Sequence, residues 1–436
     1  MTAGRPVAQA AAGPARARAV LSLIVLATVT ALNNVDRGLF ALLLPEIQKS
    51  IVLTDAFIGV LLGPGFMVIY TLAGLPIAGF ADRSNRSTLI AIGLAFWSLV
   101  TAATAVATRP LHLLFLRAAL GIGEATNIAP STALVSDLFS RRQRALAFAV
   151  ISVGTPMGTL LCYPFAGRIS AAQGWRAAFV AMGLIGLAVA VATVLIVRDP
   201  RPIAPQTPLP LRTGAAGDSL VGSLPVEFAR AWCSRPFRRL VIAGGFFSFN
   251  YAAMAVWIPA FLARAHGLSV QDVGATLGIY RGAFGILAAL AGGGLVSLLA
   301  GRDERWIAWV PAALCALIVP AELMLLFSPA RSTWQAGLGM ETVFLTAAIP
   351  CTFTLLAHVA DARARAMWAA CYFMVFNLIG QSLGPFSVGV LSEWLTPWLS
   401  THALRYALLI APASIACAGL MFMQLAGAMK AQSPEA

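Results

Sequence analysis

Four charged residues lie inside apolar stretches of the first half of the chain and are of the types that bind and release protons. Asp36 is followed directly by Arg37, and Arg117 precedes Glu124 by seven residues. That spacing is two helical turns, so Arg117 and Glu124 would share one helix face. An arginine lowers the proton affinity of a neighbouring carboxyl, and losing that partner in a dry environment raises it again. These residues therefore predict reversible proton binding.

The stretches that must position these residues are too apolar for a water-soluble domain. Hydrophobic residues make up 59% of the 436 residues and charged residues only 11%, against about 25% charged in an ordinary soluble domain. A helix needs roughly 20 apolar residues to cross the hydrocarbon, and such runs recur along the chain. They are continuously apolar rather than alternating, which excludes a transmembrane barrel. We expect an all-α membrane protein.

Twelve transmembrane helices in two pseudo-symmetric six-helix bundles are predicted. The first bundle occupies residues 20–198 and the second residues 237–436, with a proline-punctuated cytoplasmic linker at 199–236 and a disordered cytoplasmic tail at 1–19. The predicted spans are 20–45, 57–80, 88–107, 111–139, 145–167, 177–198, 237–263, 271–299, 306–328, 334–358, 367–392 and 402–427.

Weak similarity between the bundles indicates that they are repeats. Pro45 and Asp55 in the first bundle recur as Pro259 and Asp272 in the second. Parallel six-helix repeats are the design of a rocker-type secondary transporter with its site between the halves.

The formal net charge of +13 is a topology signal rather than a sign of nucleic-acid binding. Most of the 30 Lys and Arg residues fall in the tails and loops of one membrane side. By the positive-inside bias that side is cytoplasmic, and twelve crossings place both termini there. We expect the inner membrane of a bacterium, contact with membrane lipid, and no nucleic-acid partner.

The sequence offers little for an enzyme. The six cysteines have no paired spacing, and we find no cluster of metal ligands, no nucleophile with a base and no glycine-rich ATP loop. We expect no catalytic residues, no metal and no cofactor. A polytopic membrane enzyme or sensor is the alternative from another class.

Three motifs carry a family resemblance. The stretch Gly79-Phe-Ala-Asp82-Arg83-Ser-Asn-Arg86 resembles the signature loop of the major facilitator superfamily. The stretches 33–37, Asn-Asn-Val-Asp-Arg, and 117–125, Arg-Ala-Ala-Leu-Gly-Ile-Gly-Glu-Ala, resemble the Spinster-like branch. The resemblance implies a fold of two six-helix bundles, alternating access, and transport of lysophospholipids or sphingoid lipid phosphates, often with proton coupling.

The signature loop also implies a cytoplasmic gate. Gly79, Asp82, Arg83 and Arg86 would hold that side closed in one state, because an acid and two arginines at a tight turn can cap helices and pair with a neighbouring bundle. Simple positive-inside loop residues are the alternative.

For the first bundle, the hypothesis is a proton-coupling group with Asp36 and Glu124 as the protonatable residues. Arg117 would exchange between them and an anionic substrate head group, and Arg37 would assist. A buried charge must face a cavity or a partner, so a static ion network that only fixes helix packing is the alternative.

The second bundle offers further substrate contacts. Arg281 is a candidate second anion contact. Glu322 and Glu341 face a cavity, pair with another charge or lie at the membrane interface, and the interface is the position found more often for such residues. Trp257, Phe373 and Asn377 are candidates to line an apolar side of the cavity, and lipid-facing positions explain the aromatic residues equally well.

These expectations combine into a monomeric, proton-coupled secondary transporter whose substrate is a lysophospholipid-like or sphingoid amphiphilic anion. The rival within transport is a carrier of a small organic anion, such as an aromatic or sugar acid.

Overall fold

The computed structural model describes residues 13–200, 228–300, 305–360 and 364–430, and these are helical without strands. Most of the predicted tail and linker lies outside the described residues. The first helix begins at Gly13 rather than at residue 20, so the last residues of the predicted tail are helical.

Eight helices build the first half. They are α1 (Gly13–Gln48), α2 (Asp55–Leu62), α3 (Pro64–Arg83), α4 (Arg86–Ala103), α5 (Pro110–Glu124), α6 (Ile128–Leu138), α7 (Arg141–Gln173) and α8 (Trp175–Ile196). Together α2 and α3 form the second span, and α5 and α6 form the fourth.

Nine helices with both ends described build the second half, preceded by a helical stretch at 228–233, and two of the spans contain π-helical turns. The helices are α9 (Arg235–His266), α10 (Val270–Leu277), α11 (Phe284–Ala300), α12 (Trp306–Phe327), α13 (Arg331–Val359), α14 (Arg365–Val375), α15 (Ser382–Leu399), α16 (Ala403–Ala407) and α17 (Ile410–Lys430). The π-helical segments Gly278–Ala283 and Phe376–Gln381 join α10 to α11 and α14 to α15.

The twelve predicted spans are confirmed. Ten described stretches are long and apolar enough to cross a membrane, and the last of them, Met367–Gly427, is 61 residues long and holds two crossings. The fourth span is not among these ten, because its helix is interrupted at 125–127, directly after Glu124, and neither part alone is long enough to cross the membrane.

Local capping sets several helix boundaries. The Thr54 side chain accepts a hydrogen bond from the backbone of Phe57, and Asn85 caps α4 in the same way. The second span breaks at Gly63, followed by Pro64 in the first turn of α3. A Cβ at position 63 would collide with the backbone carbonyl of Ser382 on α15, so glycine permits the two halves to approach closely here.

The halves pack on each other at one side of the membrane. We call the side where α1 begins and α17 ends the termini side, and the opposite one the far side. Helix α2 packs on α15, α10 packs on α7, and α9 packs on α1. The larger buried apolar cluster accordingly runs through both halves, from Leu39 to Trp257 and Leu277, whereas a second cluster around Phe237 and Phe422 belongs to the second half alone.

On the termini side, α6 packs against α3, α4 and α7 of its own half, and α14 packs against α9 and α13 of the other. The structure is therefore closed at the far side, by contacts between halves, while these termini-side segments stay within their halves.

Candidate functional site

The four charged residues of the first half come together between α1, α3, α4 and α5. Arg37 on α1 and Glu124 at the end of α5 form an ion pair, with 2.8 Å between Nε and Oε2. The Glu124 side chain is fully buried, and that of Arg37 is 22% exposed. The Arg37 guanidinium lies 4.5 Å from the ring centre of Tyr70 and 5.1 Å from that of Phe66, both on α3. Arg37 is thus held by one charge and two aromatic faces.

Arg117 is oriented by α1 in a different way. Its Nη1 donates to the backbone carbonyl of Asp36 at 3.3 Å, and its guanidinium lies 4.6 Å from the ring centre of Phe40. The ion-pair partner of Glu124 is therefore Arg37, which sequence reasoning treated only as an assistant. Adjacent residues on a helix point about 100° apart, so Asp36 and Arg37 reach different neighbours.

The Asp36 carboxyl lies on the α4 side of α1 and is 6% exposed. It lines a small cavity of about 10 Å³ with Thr101, Arg117 and Phe179. A volume of this size is close to the minimum for one water molecule, and Asp36 and Thr101 supply polar walls.

Three buried polar atoms of this group have no hydrogen-bond partner among the described residues. They are Nη2 of Arg37, Nη2 of Arg117 and Oε1 of Glu124. Buried polar groups are nearly always paired, and leaving one unpaired costs about 1–3 kcal/mol. Both arginines therefore keep a donor available for a further acceptor, while Glu124 keeps an acceptor available for a proton.

A second charged group lies in the second half. Arg281, in the π-helical segment Gly278–Ala283, places Nη2 3.4 Å from Oε1 of Glu341 on α13 and 3.3 Å from the carbonyl of Met254 on α9. Its side chain is 20% exposed, and its Nε has no hydrogen-bond partner within the described chain.

The structure gives Glu341 the paired alternative, with Arg281 as its partner, and it buries Glu322 as well. The exposed fractions of Glu322 and Glu341 are 0% and 1%, so both are buried inside the second half. Glu322 accepts a hydrogen bond of 2.7 Å from Nδ2 of Asn250 on α9, a partner that sequence reasoning missed. The apolar pattern of α12 is nearly uniform around the helix, so it did not indicate which face is buried against α13 and α17.

The three residues predicted to line an apolar side of the cavity differ in their exposure and contacts. Trp257 is fully buried, and its Nε1 donates to the carbonyl of Pro385 at 2.9 Å, so it joins α9 to α15 rather than facing an open cavity. Phe373 is 39% exposed and lies against Phe353 and Phe376, with ring centres 5.6 and 6.4 Å apart. Asn377 accepts a hydrogen bond from Gln381.

The predicted gate residues lie at the termini-side end of α3 and the start of α4. Arg86 Nη1 is 2.6 Å from the Asp137 carboxylate at the end of α6, and its backbone N–H donates to Asp199. Gly79 and Arg83 are exposed, and the Asp82 side chain lies outside what the structure describes. Arg86 thus links the loop to other parts of the first half.

The sequence of the chain matches a known family. The model of the Major Facilitator Superfamily matches residues 26–385, which is most of the chain. The chain belongs to the major facilitator superfamily. Members of this superfamily are transporters, so the chain is a membrane transporter rather than an enzyme, as its sequence predicted.

Three relatives of this transporter bear on its branch. An MFS-type efflux pump of Mycolicibacterium smegmatis is 31% identical, with 95% of this chain and 94% of the relative covered. A sphingosine-1-phosphate transporter of Danio rerio is 26% identical over 91% of this chain and 81% of its own. A probable L-galactonate transporter of Escherichia coli (strain K12) is 24% identical over 93% and 88%.

A solved structure shares the fold of this transporter. It is described as a bacterial homologue of the human lysosomal transporter Spinster in an inward-facing and unoccupied conformation. The TM-score is 0.79 at 23% identity, with 98% of this chain and 100% of the other covered. The resemblance to the Spinster-like branch, predicted from the motifs of the first half, is confirmed.

Proposed function

We propose that this transporter moves a lysophospholipid-like or sphingoid amphiphilic anion together with protons bound at Asp36 and Glu124. The observation that carries the proposal is the buried Arg37–Glu124 pair, in which both partners keep an unused polar atom. Such a pair is held by one interaction that a ligand can replace.

The coupling step follows from the cost of a buried charge. An anionic head group that binds Arg37 withdraws it from Glu124, which is fully buried. An unpaired buried carboxylate is strongly unfavourable, so Glu124 takes up a proton as its partner leaves. When the head group departs, Arg37 returns and the proton is released. Anion binding and proton binding therefore favour each other.

Arg117 and Asp36 form the second part of the same site. The unused Nη2 of Arg117 serves the anionic head group or the carboxyls of Asp36 and Glu124 in turn. Asp36 exchanges its proton through the small cavity that it shares with Arg117. Arg281, whose Nε is unused, supplies a second cationic contact from the other half.

The apolar part of the substrate has a matching surface in the second half. Phe353, Phe373 and Phe376 form a partly exposed aromatic group next to the π-helical segment that holds Asn377. A charged head group at Arg37 and Arg117 with a hydrocarbon tail on this group would use both halves. A relative that is a sphingosine-1-phosphate transporter supports an amphiphile.

Alternating access supplies the movement. The charge bias of the loops supports a cytoplasmic position for both termini. In that orientation the far-side contacts close the outer face of a carrier that works as a monomer in the inner membrane of a bacterium. The loop containing Asp82, Arg83 and Arg86, beside Gly79, closes the cytoplasmic face in the opposite state. Arg86 would then exchange its present partner Asp137 for one across the halves.

A small organic anion is the second candidate substrate. The relative described as a probable L-galactonate transporter supports it. The same arginine pair would bind a carboxylate, and the aromatic group would then face lipid.

The first prediction concerns the coupling residues. In proteoliposomes with an imposed pH gradient, Asp36→Asn and Glu124→Gln are each expected to lower proton-driven transport at least tenfold and to flatten its pH dependence, since neither amide can take up a proton. Glu46→Gln is the matched control, because Glu46 pairs with the exposed Lys49 at the far-side end of α1. Unchanged pH profiles in both site variants would exclude coupling at these carboxyls.

The second prediction concerns the substrate. In one uptake assay, a lysophospholipid is expected to compete better than an aromatic or sugar acid, and Phe373→Ser is expected to lower lysolipid transport severalfold. Phe115→Ser is the control, since Phe115 is 70% exposed on the outer surface of α5. Stronger competition by the acids, with Phe373→Ser without effect, would favour the small-anion carrier.

A further inference from the structure

The charged residues in the middle of the membrane are balanced in the first half but not in the second. The first half has two acids, Asp36 and Glu124, and two arginines, Arg37 and Arg117. Among the described residues of the second half, mid-membrane charges are Arg281, Glu322 and Glu341. If all three were ionised, the second half would hold one negative charge without a counter-charge.

The hydrogen bonds and ion pairs show which of the two carboxyls has no cationic partner. Arg281 contacts Glu341, so these two charges offset each other. Glu322 has no ion-pair partner among the described residues; its contact is the neutral amide of Asn250. An isolated carboxylate buried in a low-dielectric interior is strongly unfavourable, and in practice such a group stays neutral by keeping its proton.

The position of the proton on Glu322 follows from the two carboxyl oxygens. Oε1 accepts the hydrogen bond from Nδ2 of Asn250, which also donates to the carbonyl of Ala411 at 3.0 Å. That second bond fixes the amide orientation, with Nδ2 facing both acceptors. Oε2 of Glu322 is buried without a hydrogen-bond partner within the described chain. A carbonyl at Oε1 and a hydroxyl at Oε2 fit this arrangement.

We propose that Glu322 is a second proton-binding site of the transporter, with its proton on Oε2, and that Arg281 sets how many protons Glu322 and Glu341 hold together. This site lies in the other half from the coupling residues Asp36 and Glu124, and it goes beyond the proposed function.

The groups that face this site are few. Glu341 on α13 and Arg281 in the π-helical segment interact electrostatically with Glu322. Cys315 lies two turns before Glu322 on α12. Asn250 on α9 and the Ala411 carbonyl complete the surroundings of Glu322. Tyr163 on α7 lies near Arg281, and Tyr251 on α9 lies near Tyr163. The one cation of this set is Arg281, so its position controls the charge balance.

Arg281 connects the site to the space between the halves. Its side chain is partly exposed, and its contact with Glu341 is long at 3.4 Å. An anion that draws Arg281 away from Glu341 leaves two buried acids without a cation. Glu341 then takes up a proton of its own, so the pair holds two protons rather than one.

Infrared difference spectroscopy of the full-length protein in lipid nanodiscs tests this inference, because a protonated carboxyl and a carboxylate absorb at separate frequencies. Glu322→Gln is expected to remove the band of one protonated carboxyl. Arg281→Gln is expected to add one, from Glu341. The double variant Arg281→Gln/Glu341→Gln is expected to return to the wild-type intensity, since Glu322 alone remains.

Glu46, which is partly exposed at the far-side end of α1, provides the control, and Glu46→Gln is expected to leave the carboxyl band unchanged. Glu322→Gln keeps the size of the side chain and mimics its neutral form, so helicity and monodispersity verify that it folds. An unchanged band in folded Glu322→Gln, or no added band in Arg281→Gln, would overturn the inference. The measurement needs no transport, so its outcome is independent of coupling at Asp36 and Glu124.

Discussion

Replacing Arg37 by methionine is expected to destabilise the folded transporter by about 3–5 kcal/mol, the usual cost of removing one partner from a buried ion pair. Glu124 is fully buried and would lose its counter-charge, whereas methionine keeps apolar contact with Tyr70 and Phe66. Transport is expected to fall to background, because the arginine that binds the anionic head group has been removed. Thermal unfolding in detergent and proteoliposome uptake measure the two effects.

A double-mutant cycle separates the lost pair from lost packing. Adding Glu124→Gln to Arg37→Met removes the unpaired charge, so the double variant is expected to be more stable than Arg37→Met alone. The loss in the single variant is also expected to shrink at low pH, where Glu124 binds a proton. Lys49→Met, which breaks the exposed pair with Glu46, is expected to change stability by less than about 1 kcal/mol. A double variant as unstable as the single one would contradict the pairing argument.

Replacing Arg264 by glutamine is expected to loosen the far-side closure of the two halves. Arg264 on α9 binds both carboxylate oxygens of Asp55 at 2.7 Å, and Ser392 on α15 donates to the same carboxylate at 2.7 Å. Arg264 also donates to Gln48 at 3.2 Å. Asp55 belongs to the first half, whereas Arg264 and Ser392 belong to the second, so the Asp55 carboxylate holds the two halves together.

The size of this effect follows from partial exposure. The Arg264 and Asp55 side chains are 31% and 12% exposed, and they line a far-side concavity of about 730 Å³. Screening by water reduces the contribution of this ion pair to the stability of the closed state to about 1 kcal/mol. Losing it corresponds to roughly a fivefold change in the ratio of closed to open molecules.

Double electron–electron resonance between spin labels at positions 52 and 401 measures that balance. Both positions are exposed on the far side, one in each half. A longer distance is expected to gain population in Arg264→Gln and in Asp55→Asn, but not in Glu46→Gln, whose ion-pair partner Lys49 belongs to the same half. Identical distance distributions in all four proteins would show that this contact does not hold the halves closed.

The buried charges illustrate what the sequence could predict. Their residue types and apolar surroundings indicated that Asp36, Arg37, Arg117 and Glu124 must find partners, and the structure brings them together. The pairing itself could not be predicted from spacing, because neighbouring positions differ by about 100° around the helix axis. Arg37 reaches Glu124 for this reason, while Arg117 reaches the backbone of Asp36.

The second half was harder to interpret for a related reason. The sequence left Glu322 and Glu341 open between the interface, a pairing partner and a cavity, whereas packing of α12 against α13 and α17 buries Glu322 completely. In a helix that is apolar on every side, the sequence contains no signal that separates a lipid-facing residue from a protein-facing one. Trp257 shows the same limit, since its partner is a backbone carbonyl on a helix distant in sequence.

By itself the sequence determined the twelve spans, the division into two halves and the superfamily, because the hydrocarbon of the membrane sets the length and polarity of every crossing. Only the tertiary structure decided which charges pair, which acid is left without a cation, and at which side the halves meet. Those outcomes depend on how each helix is rotated against its neighbours, and that rotation is set by packing between residues far apart in the chain.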